Sequence, residues 1–519
     1  MKRKRILCIC LASFMLFVCG CNKKQATHSV SNLKKGEISY PIDTTEKLTY
    51  WRILPSNISA DVSNLGETEF AKNLKEATGI EVEYIHPAQG QENAINLLLA
   101  SDDLPDIIQT DWIMQSPTSC IEQQLILKLN DYVKDYAPNF ANFLKENQDL
   151  AKQVVDDEGN YYSFPFIRND KTLYSSRGII VRSDLFDELG LQIPETIEEW
   201  DRALEAVKKK CKTPFATNTA GFIAFMGGFD AFNSLYLKDN KVHFGAIEEN
   251  YKKYIAKLHE WYEKGYIDKN YAIADQKMMD SAMLNGESAI TVGSGGSTMG
   301  SYLSAKPNDK YSLSAAKFPS VKKGVNSKFS VSSTRYSNTG AAVSTNCKHP
   351  ELAVRFLDFG YSEKGALFYN FGKEGESYNM INDYPTYKPE LLSPKNGKSA
   401  AQMLTLNCLG PVDGPFLQDK RYLEQYYTND SQKKAVERWA ETDWQDYRLP
   451  ALTLTAEETE EYNSIMSEIN IYLDEMLNNM IIGKVSVDKF NDYVKTAKTM
   501  GIERAIKIQQ DAYDRYLKR

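Results

Sequence analysis

Apolar and polar residues alternate in two ways along the first part of the chain. Lys47–Ile53 and Ile80–Tyr84 alternate as strands do, and Glu67–Ala77 between them carries apolar residues on one helical face. A second helix over 91–100 leads to a third strand, Leu104–Ile108. Strand, helix, strand, helix and strand in this order predict a parallel α/β sheet.

The stretch Asp157–Asp184 predicts a passage between two α/β units. A turn opens it, and an aromatic strand follows that we expect Pro165 to end, because proline cannot donate to a sheet ladder. A second strand, Gly178–Val181, leads into a helix that Ser183 or Asp184 can cap. The pattern indicates a chain that leaves one lobe and enters another.

Helical spacing dominates the remaining chain. The predicted helices cover 197–210, 248–264, 277–284, 350–360 and 502–517, with two more after the capping residues Thr455 and Ser486. Their apolar stripes, which include Trp261 and Met480, predict core packing. The glycine run Gly293–Ser297 follows a predicted strand and lacks the lysine of a phosphate-binding loop. It predicts a turn whose backbone N–H groups line a cleft, or else a plain flexible turn.

The N-terminus has the pattern of a targeting segment. Four basic residues precede the apolar run Ile6–Val18, which is too short to span a membrane, where about 20 residues are needed. The run ends in Val18-Cys19-Gly20-Cys21, and a small residue directly before a cysteine resembles the bacterial lipobox. That resemblance implies removal of residues 1–20 and a lipid thioether on Cys21, whereas the alternative is an ordinary signal peptide. Residues 21–46 are polar and predict a flexible tether.

Charge and residue usage exclude several function classes. The net charge of −7 becomes −11 once residues 1–20, with four basic and no acidic residues, are removed, and this argues against nucleic-acid binding. The five histidines lack zinc-protease spacing and no Gly-x-Ser-x-Gly elbow occurs, so we expect no catalytic activity. A surface glycan hydrolase stays open as a weak alternative, because 69 acidic residues could supply a carboxylate pair. The four cysteines beyond the N-terminal segment are far apart, and we expect buried free thiols: Cys120, Cys211, Cys347 and Cys408.

Several short motifs occur in the order found in one family. They are Leu98–Ile107, Gly159–Pro165, Ile180–Gly190, Pro194–Trp200, Asn285–Ile290, Gly340–Ser344, Pro350–Leu357, Gly372–Tyr378 and Ala512–Tyr516. With the lipobox, they resemble the carbohydrate-binding solute-binding lipoproteins of bacterial ABC importers, in particular the longer lipoproteins. Each motif alone is weak, but their shared order spans nearly the whole mature chain.

The resemblance implies an α/β, two-lobe fold of the periplasmic-binding-protein type, with an interlobe cleft and a helical C-terminal region. One lobe would hold 47–165 and 326–375, and the other 166–325 and 376–519. The lobes would close on a ligand by hinge motion. This topology predicts the following ligand-binding residues at the cleft: Trp51, Arg52, Asp111, Trp112, Phe166, Arg168, Tyr174, Arg177, Ser294, Gly295, Arg335, Tyr336 and Tyr378. Among them, Trp112 is the foremost candidate.

The function implied by this family is capture of an oligosaccharide outside the cell for ABC permease subunits. The protein would be a monomer, held on the extracytoplasmic face of the cell membrane by a lipid anchor at Cys21. A peptide or other polar solute is the alternative cargo, and the cleft arginines favour an acidic one without deciding between uronate and neutral glycan. Some family members bind calcium after the helix that ends here near Lys210. Because Cys211-Lys212-Thr213-Pro214 stands there, we expect neither metal nor cofactor.

Overall fold

A computed structural model describes residues 33–36, 39–88, 91 and 93–519, so the predicted signal peptide and Cys21 lie outside the described residues. The strands in this part of the chain are β1 Lys47–Trp51, β2 Glu81–Ile85, β3 Ile107–Asp111, β4 Phe164–Arg168, β5 Arg177–Arg182, β6 Phe215–Ala216, β7 Leu235–Lys238, β8 Lys241–Phe244, β9 Ile290–Ser294, β10 Leu313–Ala316, β11 Tyr336–Val343, β12 Tyr378–Ile381, β13 Tyr384–Tyr387 and β14 Leu417–Gln418.

The α-helices of the first half are α1 Glu69–Thr78, α2 Ala94–Leu99, α3 Pro117–Glu122, α4 Asn130–Tyr136, α5 Pro138–Glu146, α6 Gln148–Ala151, α7 Lys171–Tyr174, α8 Ser183–Glu188, α9 Ile197–Lys208 and α10 Glu249–Glu263. Those of the second half are α11 Gln276–Leu284, α12 Gly300–Ala305, α13 Pro350–Asp358, α14 Glu363–Phe371, α15 Pro389–Leu392, α16 Ala400–Asn407, α17 Lys420–Tyr426, α18 Asp430–Trp439, α19 Trp444–Tyr447, α20 Ala456–Ile481, α21 Phe490–Thr499 and α22 Ile502–Tyr516.

The first lobe is built on a mixed sheet with the strand order β14-β4-β11-β3-β1-β2. Its strands β2, β1 and β3 are parallel, which confirms the parallel unit expected from the first hundred residues. Strands β11 and β4 then add in antiparallel pairings, and β14 closes the edge parallel to β4. Helices α1, α4, α5, α13 and α14 cover this sheet with an apolar core that includes Phe70, Phe140 and Phe356.

The second lobe is built on the sheet β10-β5-β9-β6. Strand β5 pairs antiparallel with β10 and with β9, and β9 pairs parallel with β6. Trp200 of α9 and Trp261 of α10 are buried against Phe225, so the prediction that Trp261 belongs to the core is confirmed. The α/β fold with two lobes agrees with the architecture expected from the sequence.

Two local predictions near the passage between the lobes are corrected by the structure. Pro165 does not end a strand but lies inside β4, opposite Gly340 and next to a register shift in β11, where a sheet tolerates a residue without an N–H. Neither Ser183 nor Asp184 caps α8, which begins at Ser183 without a side-chain cap. Instead, the Asp184 carboxylate accepts two hydrogen bonds of 2.6 and 2.8 Å from the Arg182 guanidinium.

The glycine run after β9 continues as a helix rather than as an open turn. Gly295–Met299 forms one wide helical turn that leads directly into α12. The Ser294 hydroxyl accepts hydrogen bonds from the N–H groups of Ser297 and Thr298, at 3.2 and 3.3 Å. Part of the backbone N–H set that the sequence placed in a cleft is therefore satisfied by the chain itself.

The lobe boundaries predicted from the sequence stay a prediction. Two strands, β4 and β14, show which sheet the chain belongs to near these boundaries. Strand β4 keeps the chain in the first sheet as far as Arg168, and β14 returns residues 417 and 418 to the same sheet. The hairpin of β12 and β13 lies outside both main sheets, with Tyr378 and Tyr387 in the core of the second lobe. The chain therefore passes between the lobes near 169–176, 317–335, 372–410 and after Gln418.

Helices α20, α21 and α22 form the C-terminal region, which packs on α10 and β8 of the second lobe. The predicted capping box of Thr455 and Glu458 is present at the start of α20. Asp157, in the turn of the first lobe, accepts hydrogen bonds from Arg515 at 2.5 Å and from Arg519 at 2.6 Å. These ion pairs connect the C-terminal region to the first lobe.

An N-terminal strap, residues 39–46 with the short piece 33–36, lies on the first lobe. The Tyr40 ring packs edge-on against Phe359 at 5.0 Å, and its hydroxyl donates to the Arg355 carbonyl at 2.6 Å. Arg355 in turn donates to the Lys34 carbonyl at 2.7 Å. The tether predicted over 21–46 is therefore in contact with the fold over its last part.

The four cysteines are buried free thiols, as expected. Within the described residues, no helix combines the length and the apolar character that a membrane crossing requires.

Candidate functional site

The cleft between the two sheets contains two neighbouring cavities. The central cavity has a volume of about 940 Å³ and is lined by residues of both lobes. The lateral cavity, of about 630 Å³, lies towards the C-terminal helices. Met114 lines both cavities, so they meet just beyond the end of β3. Both volumes lie in the range usual for small-molecule sites, about 300–1,000 Å³.

The first lobe contributes the strand ends of its parallel sheet to the central cavity. Side chains that follow parallel strands meet at one edge of a sheet, and here they are Arg52 after β1 and Gln109 and Asp111 in β3. Arg52 is almost fully buried and donates one hydrogen bond of 3.0 Å to the Asp413 carbonyl, while its Nε has no partner. A buried guanidinium with an unused donor is suited to hold a polar ligand.

Asp111 is the acidic group at this edge. Its Oδ1 accepts hydrogen bonds from the N–H groups of Ile113 at 3.1 Å and Met114 at 3.4 Å. Burial raises the pKa of Asp111, and these two hydrogen bonds oppose that effect. The second oxygen of the carboxylate accepts no hydrogen bond from the residues that the structure describes, and it can accept one from a ligand hydroxyl.

Strand β4, directly before the first passage between the lobes, supplies an aromatic and a cationic group. The Arg168 guanidinium lies 4.8 Å above the centroid of the Phe166 ring and donates to the Thr334 carbonyl at 2.9 Å. Burial lowers the pKa of Arg168, and the charge of Asp413 acts in the opposite direction. Arg168 has no carboxylate within ion-pairing distance among the described residues, so its remaining donors face the cavity.

Tyrosines of α17 and its C-terminal end close the second-lobe side of the central cavity. Tyr426 and Tyr427 lie with ring centroids 5.6 Å apart, over the glycine turn that follows β9. A Cβ on Gly296 would stand 2.8 Å from the Tyr426 ring, and one on Gly295 would stand 3.1 Å from the Tyr427 hydroxyl. Both glycines are therefore required for the close approach of the tyrosines.

The lateral cavity has tyrosines from the C-terminal helices and one ion pair. Arg335 pairs with Asp149 at 3.1 Å and donates to Asn147 at 2.6 Å. Tyr462, Tyr513 and Tyr516 line the opposite side. Arg448, in the extended segment before α20, reaches the same cavity.

The structure brings most of the sequence-predicted residues to the cleft. Those that line the central cavity are Arg52, Asp111, Phe166, Arg168 and Ser294. Tyr174, Arg335 and Tyr336 line the lateral cavity. Arg177 lines a smaller adjoining cavity of about 290 Å³, together with Arg448.

Four of the predicted residues line none of these three cavities. Trp51 and Trp112 belong to a small apolar core behind the β3 end, where Trp112 is 0% exposed and its indole N–H donates to the Gly340 carbonyl at 3.0 Å. Gly295 is buried below Tyr427. Tyr378 packs on Phe371 and borders a groove on the outer surface. For the two tryptophans the reason is that topology places a residue near a strand end but does not fix which side of the backbone its side chain takes.

Several residues at the cleft were missed by the sequence prediction. They are Gln418, Tyr422, Tyr426, Tyr427, Arg448, Tyr462, Tyr513 and Tyr516. The run Arg421-Tyr422-Leu423-Glu424-Gln425-Tyr426-Tyr427 carries a signal, since three tyrosines fall within six residues. The others come from the tail, and no local pattern connects them to the strand ends.

Chemically, the cleft can hold a flat, polar, hydroxyl-rich molecule. Aromatic faces cover C–H surfaces, while arginine and amide groups donate to oxygens. In the part of the chain that the structure describes, no three His, Cys, Asp or Glu side chains are grouped so as to hold a metal ion.

Comparison with known proteins identifies the family. The model of the bacterial extracellular solute-binding protein family matches residues 63–367, more than half of the chain. The chain belongs to this family. The match leaves out β1 and β14 of the first sheet, covers the whole second sheet, and stops before the tyrosine-bearing α17 of this solute-binding protein.

Relatives extend the similarity over almost the full length. The fructooligosaccharide ABC transporter substrate-binding protein FusA of Streptococcus pneumoniae is 21% identical, over 98% of this chain and 97% of its own. The polygalacturonan/rhamnogalacturonan-binding protein YtcQ of Bacillus subtilis is 21% identical, over 85% and 87%. The crystal structure of the alginate-binding protein AlgQ2 superposes with a TM-score of 0.72 at 22% identity, covering 91% of this solute-binding protein and 99% of AlgQ2. At such identities the structural likeness establishes the fold.

Proposed function

We propose that this solute-binding protein is the extracellular receptor of an ABC importer and captures an oligosaccharide between its two lobes. The observation that carries the proposal is the central cavity, where strand ends of one lobe face the tyrosines and the Ser294 turn of the other. A ligand that touches both walls binds the closed form better than the open one, and this difference in affinity drives closure. The cargoes named for FusA, YtcQ and AlgQ2 are oligo- or polysaccharides, which supports the same class here.

The chemistry of the walls favours a sugar over a peptide. The central cavity combines Phe166 and the Tyr426 and Tyr427 rings with hydroxyl and amide groups such as Gln109 and Ser297. Sugar rings offer C–H faces to aromatic side chains and hydroxyls to amides at the same time. A peptide would instead need an unpaired strand edge or a groove for its backbone.

The proposal includes a lipid anchor at Cys21 and a location on the extracytoplasmic face of the membrane. The sequence of the lipobox supports it, and a lipid with two or more chains gives durable attachment. Labelling of cells with palmitate and replacement Cys21→Ala test this part: the label should disappear from the variant, and the protein should leave the membrane fraction. Persistence of the label would place the modification elsewhere.

Receptor function also implies that the ligand leaves the cleft unchanged. A thermal-shift screen of residues 22–519 against neutral oligosaccharides, uronates and peptides tests the proposal, with recovery and analysis of the ligand afterwards. A ligand present at 100 times its Kd adds about 2.7 kcal/mol to the free energy of unfolding. Stabilisation by one glycan class with intact glycan supports the receptor. Stabilisation by peptides alone favours the other cargo, and cleavage of the glycan overturns the receptor in favour of a hydrolase.

A further inference from the structure

The charges that line the cleft do not match the charge of the whole chain. The chain has a net charge of −7, yet the central, lateral and small cavities are lined by five arginines and three aspartates. The arginines are Arg52, Arg168, Arg177, Arg335 and Arg448, and the aspartates are Asp111, Asp149 and Asp413. A concave site whose charge is opposite to that of the surface around it concentrates ligands of the complementary sign.

Only some of these arginines have partners within the protein. Arg335 is neutralised by Asp149 at 3.1 Å, and Arg182, a buried arginine elsewhere in the second lobe, is neutralised by Asp184 at 2.6 Å. Arg52 and Arg168 donate to backbone carbonyls, which carry no net charge. Within the described residues, Arg448 makes neither an ion pair nor a hydrogen bond, and its Nη1 is buried without a partner.

Arg448, which is half-buried, therefore differs from the other buried or half-buried arginines named above in having no partner among the described residues. Burial lowers its pKa to about 10, and the positive charge of Arg168 contributes in the same direction. A guanidinium that is taken out of water and repelled by a second one is costly unless an anion binds there. Arg177, which is exposed and whose side chain pairs with no described residue, lines the same small cavity and adds a further positive charge.

Resting on the proposed function, we propose that the cargo is an acidic, carboxylate-bearing oligosaccharide and that Arg448 binds one of its carboxylates where the lateral and small cavities meet. A planar guanidinium fits the two oxygens of a carboxylate in a bidentate pair. Ser330 and Ser332 line the same small cavity, and because their hydroxyls are hydrogen-bonded to each other at 2.5 Å, one of the two can donate to the anion. The surplus of two positive charges matches an oligosaccharide with few charged groups rather than a polyphosphate.

The matched probe pair is one set of acidic oligosaccharides before and after carboxyl reduction. Pools of oligogalacturonate, oligoglucuronate and oligoalginate are used, and reduction turns each carboxylate into a neutral hydroxymethyl group on the same ring. At least one untreated pool should bind, and its affinity should be at least about tenfold higher than that of its reduced form. A difference of this size is typical for hydrogen bonds to charged groups. The affinity of the untreated pool should fall with rising salt, since salt screens charge pairs at a partly open site.

The variant Arg448→Gln should lose about tenfold to a hundredfold in affinity for the acidic pool and leave the affinity for the reduced pool unchanged. Arg448→Lys keeps the positive charge but loses the planar guanidinium that binds a carboxylate in a bidentate pair. Its affinity for the acidic pool should lie between those of the unaltered protein and Arg448→Gln. Arg504→Gln is the control, because it removes the same charge from an exposed pair with Glu461, and neither residue lines the lateral cavity. The thermal unfolding of each ligand-free variant shows whether it is folded.

The outcomes separate this inference from the proposed function. Tighter binding of the reduced pools, or equal loss of both pools in Arg448→Gln, overturns the acidic cargo while the oligosaccharide receptor stands. If no acidic, reduced or neutral oligosaccharide binds, the proposed function fails, and the inference fails with it. The comparison of untreated and reduced pools uses the unaltered protein. It therefore tests whether the cargo is acidic even if Arg448→Gln does not fold.

Discussion

The central and lateral cavities adjoin at Met114 but differ in how they are built. The central cavity combines the strand ends of two sheets with the tyrosines of α17, and its two arginines are offset by two aspartates. The lateral cavity is closed by the C-terminal helices, and one of its two arginines has no acidic partner. In the proposed function, this difference corresponds to sugar rings in the central cavity and a carboxylate of the cargo in the lateral cavity.

The largest expected effect concerns the structure that both cavities share. Trp112 stands directly before the turn that carries Met114, and its side chain is fully buried. Trp112→Ala should lower the free energy of unfolding by about 3–5 kcal/mol, because it leaves a cavity in the core. Chemical denaturation measures this.

The control for Trp112 is Trp112→Phe, which keeps most of the packing and loses only the bond to the Gly340 carbonyl. It should cost about 1–3 kcal/mol, the usual penalty for an unsatisfied buried group. If Trp112→Ala were as stable as the unaltered protein but failed to bind ligand, the side chain would belong to the site, as the sequence suggested.

The next effect is specific to the central cavity. Gly296→Ala introduces a methyl group 2.8 Å from the Tyr426 ring and should displace that ring from the cavity wall. Loss of an aromatic contact predicts an affinity about threefold to tenfold lower, measured by calorimetry. Gly397→Ala is the control for lost stability alone, because it strains a backbone with φ of +78° at a residue that does not line the central cavity. Unchanged affinity in Gly296→Ala would remove Tyr426 from the binding surface.

A pH titration distinguishes the cavities further. Because the folded pKa of Asp111 is raised, its ionised form is disfavoured by folding, so this carboxylate costs stability as pH rises through its folded pKa. As pH falls from 7 towards that value, Asp111 takes up a proton and the central cavity becomes more positive. Affinity for an acidic oligosaccharide should therefore increase on mild acidification, while affinity for its reduced form should not.

Asp111→Asn tests the origin of this pH dependence. At pH 7 the variant should bind the acidic oligosaccharide as tightly as the unaltered protein does at lower pH. Its affinity should not change with pH between these two values. A profile that keeps its slope in Asp111→Asn would assign the proton uptake to another group.

The smallest effect concerns the ion pair of the lateral cavity. The Asp149 side chain is largely exposed, so Asp149→Asn should change the free energy of unfolding by less than about 1 kcal/mol. Removing this charge frees Arg335 beside Arg448, and the affinity for acidic probes should rise modestly. A decrease would show that Asp149 orients Arg335 for binding.

How far the sequence predicted these features depends on the range of the interactions. Local signals were sufficient for the parallel unit of β1, β2 and β3, for the cap at Thr455 and for the buried stripe of α10. The direction of a side chain after a strand is set by packing across the sheet, and for this reason Arg52 reaches the cavity while its neighbour Trp51 turns into the core. Arg448 and Tyr513 reach the cleft only through the docking of α20 and α22, which no local pattern encodes.

The N-terminal strap has a consequence for how the receptor stands on the cell. Eleven residues separate the proposed anchor Cys21 from Leu33, where the described chain reaches the first lobe, and a chain of this length spans at most about 40 Å. Because Tyr40 and Lys34 hold the strap on the first lobe, an anchor at Cys21 would keep that lobe close to the bilayer. A permease in the same membrane would then meet a receptor whose distance from the bilayer and orientation are restricted. The two proteins would find each other by diffusion in the plane of the membrane rather than through the surrounding volume.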